Sequence, residues 1–185
     1  MDFYRDEWVV IRAMEEGDIY VMEEGFSQQG WHKPAALFAS YNREQREGTR
    51  LVFTAFVRGA FAGYATLRKS AVSGPFAGKG IPEICDFNVL ALYQRRGVGS
   101  LLMDTAERIA SSFSGLVSLG VGLHAGYGPA QRMYVKRGYI PDGSGAWFGG
   151  HPLAPYAQCK NDDDLVLYLS KKLALAGRQD GECLL

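Results

Sequence analysis

Cysteine and histidine are scarce in this sequence, and both are scattered. The cysteines stand at Cys85, Cys159 and Cys183, with no pair at metal-ligand spacing, and His32, His124 and His151 are equally dispersed. That pattern excludes a recognisable zinc site and a disulfide framework, so no metal is expected and a reducing compartment is. A surplus of charge is missing too. Lysine plus arginine number 20 and aspartate plus glutamate number 20, so nothing draws the whole chain to nucleic acid or an anionic membrane. No window approaches the roughly 18 apolar residues of a membrane span. The opening MDFYRDEWVV lacks the basic end and apolar stretch of a signal peptide, and the ending GECLL puts Cys183 one position too late for a prenylation box. The expectation is a soluble cytoplasmic protein with no nucleic-acid and no membrane partner.

What is present is material for a core. Apolar residues make up 47% of the 185 and charged ones 22%, a globular profile. A chain of this size buries roughly 70% of the surface it exposes unfolded and needs no staples. With no repeat, linker or shift in composition, one domain over 1–185 is expected. Trp8–Ala13 reads as a first strand, Gly17–Asp18 as the start of an acidic helix, and Pro34–Glu47 as a second helix with proline near its N-terminus. Arg50–Val57 and Ala60–Lys69 read as a hairpin turning at Arg58-Gly59. After the Gly/Pro loop AVSGPFAGKGIP comes the strand EICDFNVLAL. From Gly99 the period becomes helical: Leu102, Ala106 and Ile109 share a face, with Asp104, Glu107 and Arg108 on the polar side. GLVSLGVGL is the next strand and Pro129–Arg137 a short helix closed by Gly138. Tyr139–Ile140 and Leu165–Leu169 are the last strands, separated by a long Gly/Pro/aromatic loop.

The densest chemistry lies in QRRGVGS, Gln94 to Ser100. A strand, a glycine-bearing turn and a helix leave unpaired N–H groups at the helix start, where the macrodipole is positive. Gly97 and Gly99 remove side chains that would hold a phosphate off the backbone. Arg95 and Arg96 add charge, and Ser100 adds a hydroxyl. A P-loop is excluded, because no Gly-Lys-Ser/Thr ends the turn, and Leu102 stands where a dinucleotide fingerprint needs glycine or alanine. GVGLHA at Gly120, Gly122 and Ala125 fits that fingerprint loosely, with Asp142 about 20 residues on. Gly126, Gly128 and Pro129 interrupt the long helix it requires.

EICDFNVLALYQRRGVGSLLMDTAE resembles the acyl-CoA-binding motif of the GNAT N-acetyltransferase family, Gln/Arg-x-x-Gly-x-Gly/Ala, through Gln94, Gly97 and Gly99. PAQRMYVKRGYIPDG resembles the family's second motif through Ala130, Tyr134, Gly138 and Tyr139. The resemblance covers about Ile81 to Asp142. It implies an α/β fold with a mixed sheet of six to seven strands and about four helices. It also implies transfer of an acetyl group from acetyl-CoA to an amine, in a protein that is a monomer or a homodimer, with a small-molecule or peptide amine as acceptor. A non-catalytic acyl-CoA-binding module and a nucleotide-dependent oxidoreductase are the competing readings.

Residue by residue, the resemblance gives the backbone of Phe87, Asn88 and Val89 to the pantetheine arm. Gln94, Arg95, Arg96, Gly97, Val98, Gly99 and Ser100 go to the pyrophosphate, physically a strand-edge contact joined to a helix N-terminus. Tyr134 matches the tyrosine that protonates the departing thiolate. Glu83 and Asp86 compete as general base, and alternation puts them on opposite faces, Glu83 with Cys85 and Phe87, Asp86 with Asn88. Tyr127 departs from the pattern, standing where many members have an asparagine on the arm, and Ala130 lies beside it. Two stretches are candidate walls for the acceptor: EEGFSQQGWHK, with Glu23 and Glu24, and the loop bearing Trp147, Phe148, His151 and Tyr156.

Overall fold

A two-residue turn shows how closely local chemistry dictates this fold. Arg58 and Gly59 both take positive φ, 49° and 82°, the conformation that matches the twist of a hairpin. They join β3 (Arg50–Val57) to β4 (Ala60–Arg68), whose antiparallel register runs from Arg50 opposite Arg68 to Val57 opposite Ala60. The computed structural model describes residues 2–175, so the GECLL ending and Cys183 lie outside it.

The remaining elements follow in chain order. β1 (Asp2–Arg5) and β2 (Val9–Ala13) precede α1 (Asp18–Ser27) and α2 (Ala35–Arg46). After the hairpin come β5 (Glu83–Val89), α3 (Val98–Ser111), β6 (Leu116–Gly122) and α4 (Gly128–Lys136). β7 (Ile140–Phe148), β8 (His151–Pro152) and β9 (Leu165–Lys172) complete the described chain. Four α-helices match the expected number. The strands number nine, where six to seven were expected. β1 is one addition. The other, β8, comes from the stretch read as a loop, where β7 runs on to Phe148 and turns at Gly149-Gly150 into it.

The described residues form two compact units, the first made of the chain up to Lys69 with 84–109 and the second of 70–83 with the chain from Ala110 onward. The strands of the first run in the order β1-β2-β3-β4-β5, and those of the second in the order β6-β9-β7-β8. The first unit has an aromatic core, with Met22, Phe26, Phe38, Val52 and Tyr64 fully buried and Leu90 packed among them. Its rings interlock: Tyr64 meets Phe26 and Phe38 edge-on at 5.7 and 5.5 Å. The second unit has a smaller cluster of Ala71, Phe76 and Tyr168, with Trp147 edge-on to Tyr168 at 5.5 Å. Along α3, Leu102, Met103 and Ala106 are buried as the periodicity requires. Glu107, expected on the polar side, is buried as well.

Candidate active site

In the first unit, β5 does not run as a regular strand. Asp86 has φ of 45°, left-handed for a residue that is not glycine. Its carboxylate is held by four donors. Oδ1 accepts from Lys33 Nζ at 2.7 Å and from Asn88 Nδ2 at 2.9 Å. Oδ2 accepts from the hydroxyl of Tyr41 at 2.9 Å and from that of Tyr64. Asp86 and Asn88 thus share a face, as alternation predicts. Burial alone would raise the Asp86 pKa, but the charge of Lys33 and the bonds from Lys33, Tyr64 and Tyr41 outweigh it and hold the pKa below the ordinary carboxylate range. Both phenols move the other way, raised by burial and then by the Asp86 charge. Lys33 also lies 5.6 Å from the ring centres of Phe26 and Tyr64.

β5 and β4 approach closely at one glycine. A Cβ on Gly63 would lie 2.5 Å from the Asn88 carbonyl oxygen and 2.9 Å from Val89 Cα. The Leu90 amide bonds the Ala62 carbonyl at 2.9 Å just beyond. One 3-10 turn, Ala91–Tyr93, then leads into the basic stretch. Gln94 Nε2 reaches back to the Val89 carbonyl at 3.0 Å, so this side chain braces the turn against the strand end. Arg95 and Gly97 take φ of 59° and 86°, and the first α3 bond runs from Leu101 N to the Gly97 carbonyl at 3.0 Å. Val98 is buried, while Arg95, Arg96 and Ser100 are exposed. The two glycines have different reasons. No atom lies within 4 Å of where a Gly97 Cβ would be, so the turn presents bare backbone there, whereas a Gly99 Cβ would sit 3.1 Å from Phe87 Cζ.

This turn fits a diphosphate. It offers first-turn amides, open space over Gly97 and two exposed guanidinium groups, and no carboxylate interrupts residues 91–100. Beside α1 a surface cavity of about 500 Å³ is lined by Tyr20, Glu23, Glu24, Trp31 and Lys33.

The second unit holds Glu83, Tyr127, Ala130 and Tyr134. Glu83, the first residue of β5, is buried. The second motif has a plain structural logic. Gly138, with φ of 85°, ends α4, and the Tyr139 amide returns to the Tyr134 carbonyl at 3.0 Å. The two rings then meet at 5.8 Å. Tyr134 is buried, and its pKa is raised by that burial and next by Tyr127. Gln131 Nε2 ties α4 to β6 through the Gly122 carbonyl at 2.8 Å, and Ala130, in the first turn of α4, is half-buried. The Tyr127 ring covers Gly122, where a Cβ would lie 2.3 Å from it, and its hydroxyl donates to Asp163 at 3.0 Å. His124 Nδ1 accepts from the Gly126 amide, which leaves Nε2 as the nitrogen that donates to Asp163.

A family model described as the acetyltransferase (GNAT) family matches residues 12–139, more than half of the chain. The chain belongs to the GNAT acetyltransferase family. Solved structures agree on the fold. A ribosomal L7/L12 alpha-N-protein acetyltransferase (RimL) in complex with coenzyme A is 8% identical, with a TM-score of 0.70 over 95% of this chain and 100% of that one. The ribosomal-protein-S18-alanine N-acetyltransferase from Escherichia coli is 16% identical, with a TM-score of 0.65 over 92% and 97%. Ard1 from Thermoplasma volcanium is 23% identical, with a TM-score of 0.62 over 89% and 97%. No curated protein matches. Within this GNAT acetyltransferase, motif residues alone do not reveal Lys33, Tyr41 or Tyr64. Nothing near them in sequence marks them, because their common partner Asp86 lies 53, 45 and 22 positions away.

Among the described residues no group of His, Cys, Asp and Glu could hold a metal ion, and no helix is long and apolar enough to cross a membrane.

Proposed function

We propose that this chain is a catalytic N-acetyltransferase that moves the acetyl group of acetyl-CoA onto a primary amine by direct attack within a ternary complex. The observation that carries the reading is the β5–turn–α3 segment. A kinked strand runs into a turn whose backbone is bare at Gly97 and whose flanks are Arg95 and Arg96. In this reading, the backbone of Phe87, Asn88 and Val89 holds the pantetheine arm, and the amides from Arg95 to Ser100 hold the pyrophosphate. The family resemblance also gives Tyr127 and Ala130 to the arm.

Acetyl-CoA supplies an activated thioester carbonyl. The chain's own work is to orient it and to manage two protons. Tyr134, buried on α4, donates a hydrogen bond to the sulfur as its charge develops. Full proton transfer from a phenol (pKa roughly 10) to a thiolate (roughly 8.5) is uphill by about 2 kcal/mol, and burial widens the gap, so the donation is electrostatic first and protonic late. A lysine-like amine is mostly protonated at neutral pH, and freeing it costs about 4.6 kcal/mol. We assign that step to Glu83, the buried carboxylate that opens β5. The cavity beside α1, with Glu23 and Glu24 at its wall, supports a cationic acceptor. Solved structures of the same fold carry names for transfer to protein α-amino groups and include a spermidine N-acetyltransferase, so both classes belong in the test.

The test is calorimetry with acetyl-CoA, followed by a CoA-release screen over peptide N-termini, lysine peptides, polyamines and small amines, with mass spectrometry of the product. Binding with release and an acetylated product is expected. Absence of acetyl-CoA binding sinks the proposal. Binding with no transfer across the panel leaves an acyl-CoA-binding module.

A further inference from the structure

We infer that Asp86 is a positioning residue: clamped by Lys33, Tyr41, Tyr64 and Asn88, its carboxylate fixes the left-handed kink that shapes β5 for the acyl-CoA arm. The inference rests on the proposed reading of β5 as the cofactor strand.

Saturation comes first. A carboxylate offers about four lone-pair sites. Lys33 and Asn88 fill those of Oδ1, and Tyr41 and Tyr64 those of Oδ2. A general base must present a free lone pair to the proton it takes, and Asp86 has none to present. The backbone supplies the second argument. A left-handed φ holds an L-residue back by roughly 5- to 30-fold in population, so something must select it. Aspartate tolerates this region better than most residues but does not enforce it. Here the side chain is fastened at four points, and the fastening converts a tolerated conformation into a fixed one. The donors also form a frame. Tyr64 is fully buried on β4, Tyr41 stands on α2, and Lys33 belongs to the connection between α1 and α2. The kink is therefore referenced to the aromatic core of the first unit, and Phe87, Asn88 and Val89 follow it directly.

The test compares Asp86→Ala, Asp86→Gly and Tyr41→Phe with wild type. Three quantities are measured: hydrogen exchange of the 84–90 amides without ligand, acetyl-CoA affinity, and kcat/KM against pH. Glycine adopts φ of 45° without steric cost and alanine does not. The alanine variant is therefore expected to exchange faster and to bind acetyl-CoA at least about five-fold more weakly than the glycine variant. Tyr41→Phe, which removes one of four bonds, falls between wild type and alanine. The acid limb of the pH profile keeps its midpoint in the glycine variant. If alanine and glycine variants bind acetyl-CoA like wild type but lose turnover equally, with the acid limb gone, Asp86 is the base and the inference is wrong. If wild type does not bind acetyl-CoA, the cofactor reading fails separately. The exchange comparison still decides the kink, since equal protection in wild type and Asp86→Ala overturns it.

Discussion

Replacing Gly63 by alanine tests the placement of β5 with a single methyl group. That methyl carbon would lie 2.5 Å from the Asn88 oxygen and 2.9 Å from Val89 Cα, where ordinary contact begins at 3.4 Å. Both obstacles are main-chain atoms, so no side-chain rotation relieves the overlap, and the strand must shift by about 1 Å. Overpacking of this kind costs about 1–3 kcal/mol. The smaller entropy of an unfolded alanine returns about 0.4–1 kcal/mol. The net destabilisation is about 1–2 kcal/mol, which for a chain of this length lowers the melting temperature by roughly 2–8 °C. The displaced residues are those proposed to hold the pantetheine arm, and misplacement by about 1 Å is expected to lower kcat/KM by roughly ten- to a hundred-fold. Differential scanning calorimetry and the CoA-release assay read the two effects. Gly128→Ala is the control: φ is −52°, no atom lies within 4 Å of the new methyl, and the melting temperature should hold or rise. A Gly63→Ala protein that melts and turns over like wild type would refute the close approach of β5 to β4.

Tyr134→Phe should lower kcat by about a hundred-fold with acetyl-CoA affinity nearly intact, as expected for a lost donor to the leaving sulfur; unchanged turnover removes Tyr134 from the mechanism. Gly99→Asp should weaken acetyl-CoA binding at least about ten-fold, by crowding Phe87, 3.1 Å from the new Cβ, and by bringing negative charge to the phosphate; retained affinity in calorimetry counts against the whole turn assignment. Because the folded pKa of Asp86 is lowered, its stabilisation is present above the unfolded value of roughly 3.9 and disappears as pH falls through the folded value. The difference in melting temperature between wild type and Asp86→Asn should therefore shrink from neutral pH toward pH 3, and a constant difference would contradict the clamp.

Sequence carried the elements whose signals are local. Arg58-Gly59 has the turn chemistry of a tight hairpin, and its flanking strands fall where alternation and β-branching put them. Pro34 and Glu47 bound α2 because proline suits a helix entrance and its extended φ and ψ hold just outside it. The extension of β7 beyond Ile140 was illegible for the opposite reason. Its Pro141, Gly143 and Gly145 are loop residues by any local rule, and the strand accommodates them with positive φ at both glycines and an irregular register against β9 between Pro141 and Ala146. β1 has only four residues, none of them buried, so it shows no inward face to read. At the site, the motif residues were legible from spacing, but the clamp on Asp86 was not. Hydrogen bonds spanning 22 to 53 positions leave no periodic trace.

The brevity of β1 and β8 has a consequence for the protein in concentrated solution. One run of strands stops at a four-residue ribbon and the other at a two-residue one. The first ribbon also bears an exposed Arg5–Asp2 ion pair. Strand edges left open invite addition of further chains, and short or charged edges give an incoming strand few amides to zip onto. The four-residue, charged β1 is therefore a poor template for strand addition at its border.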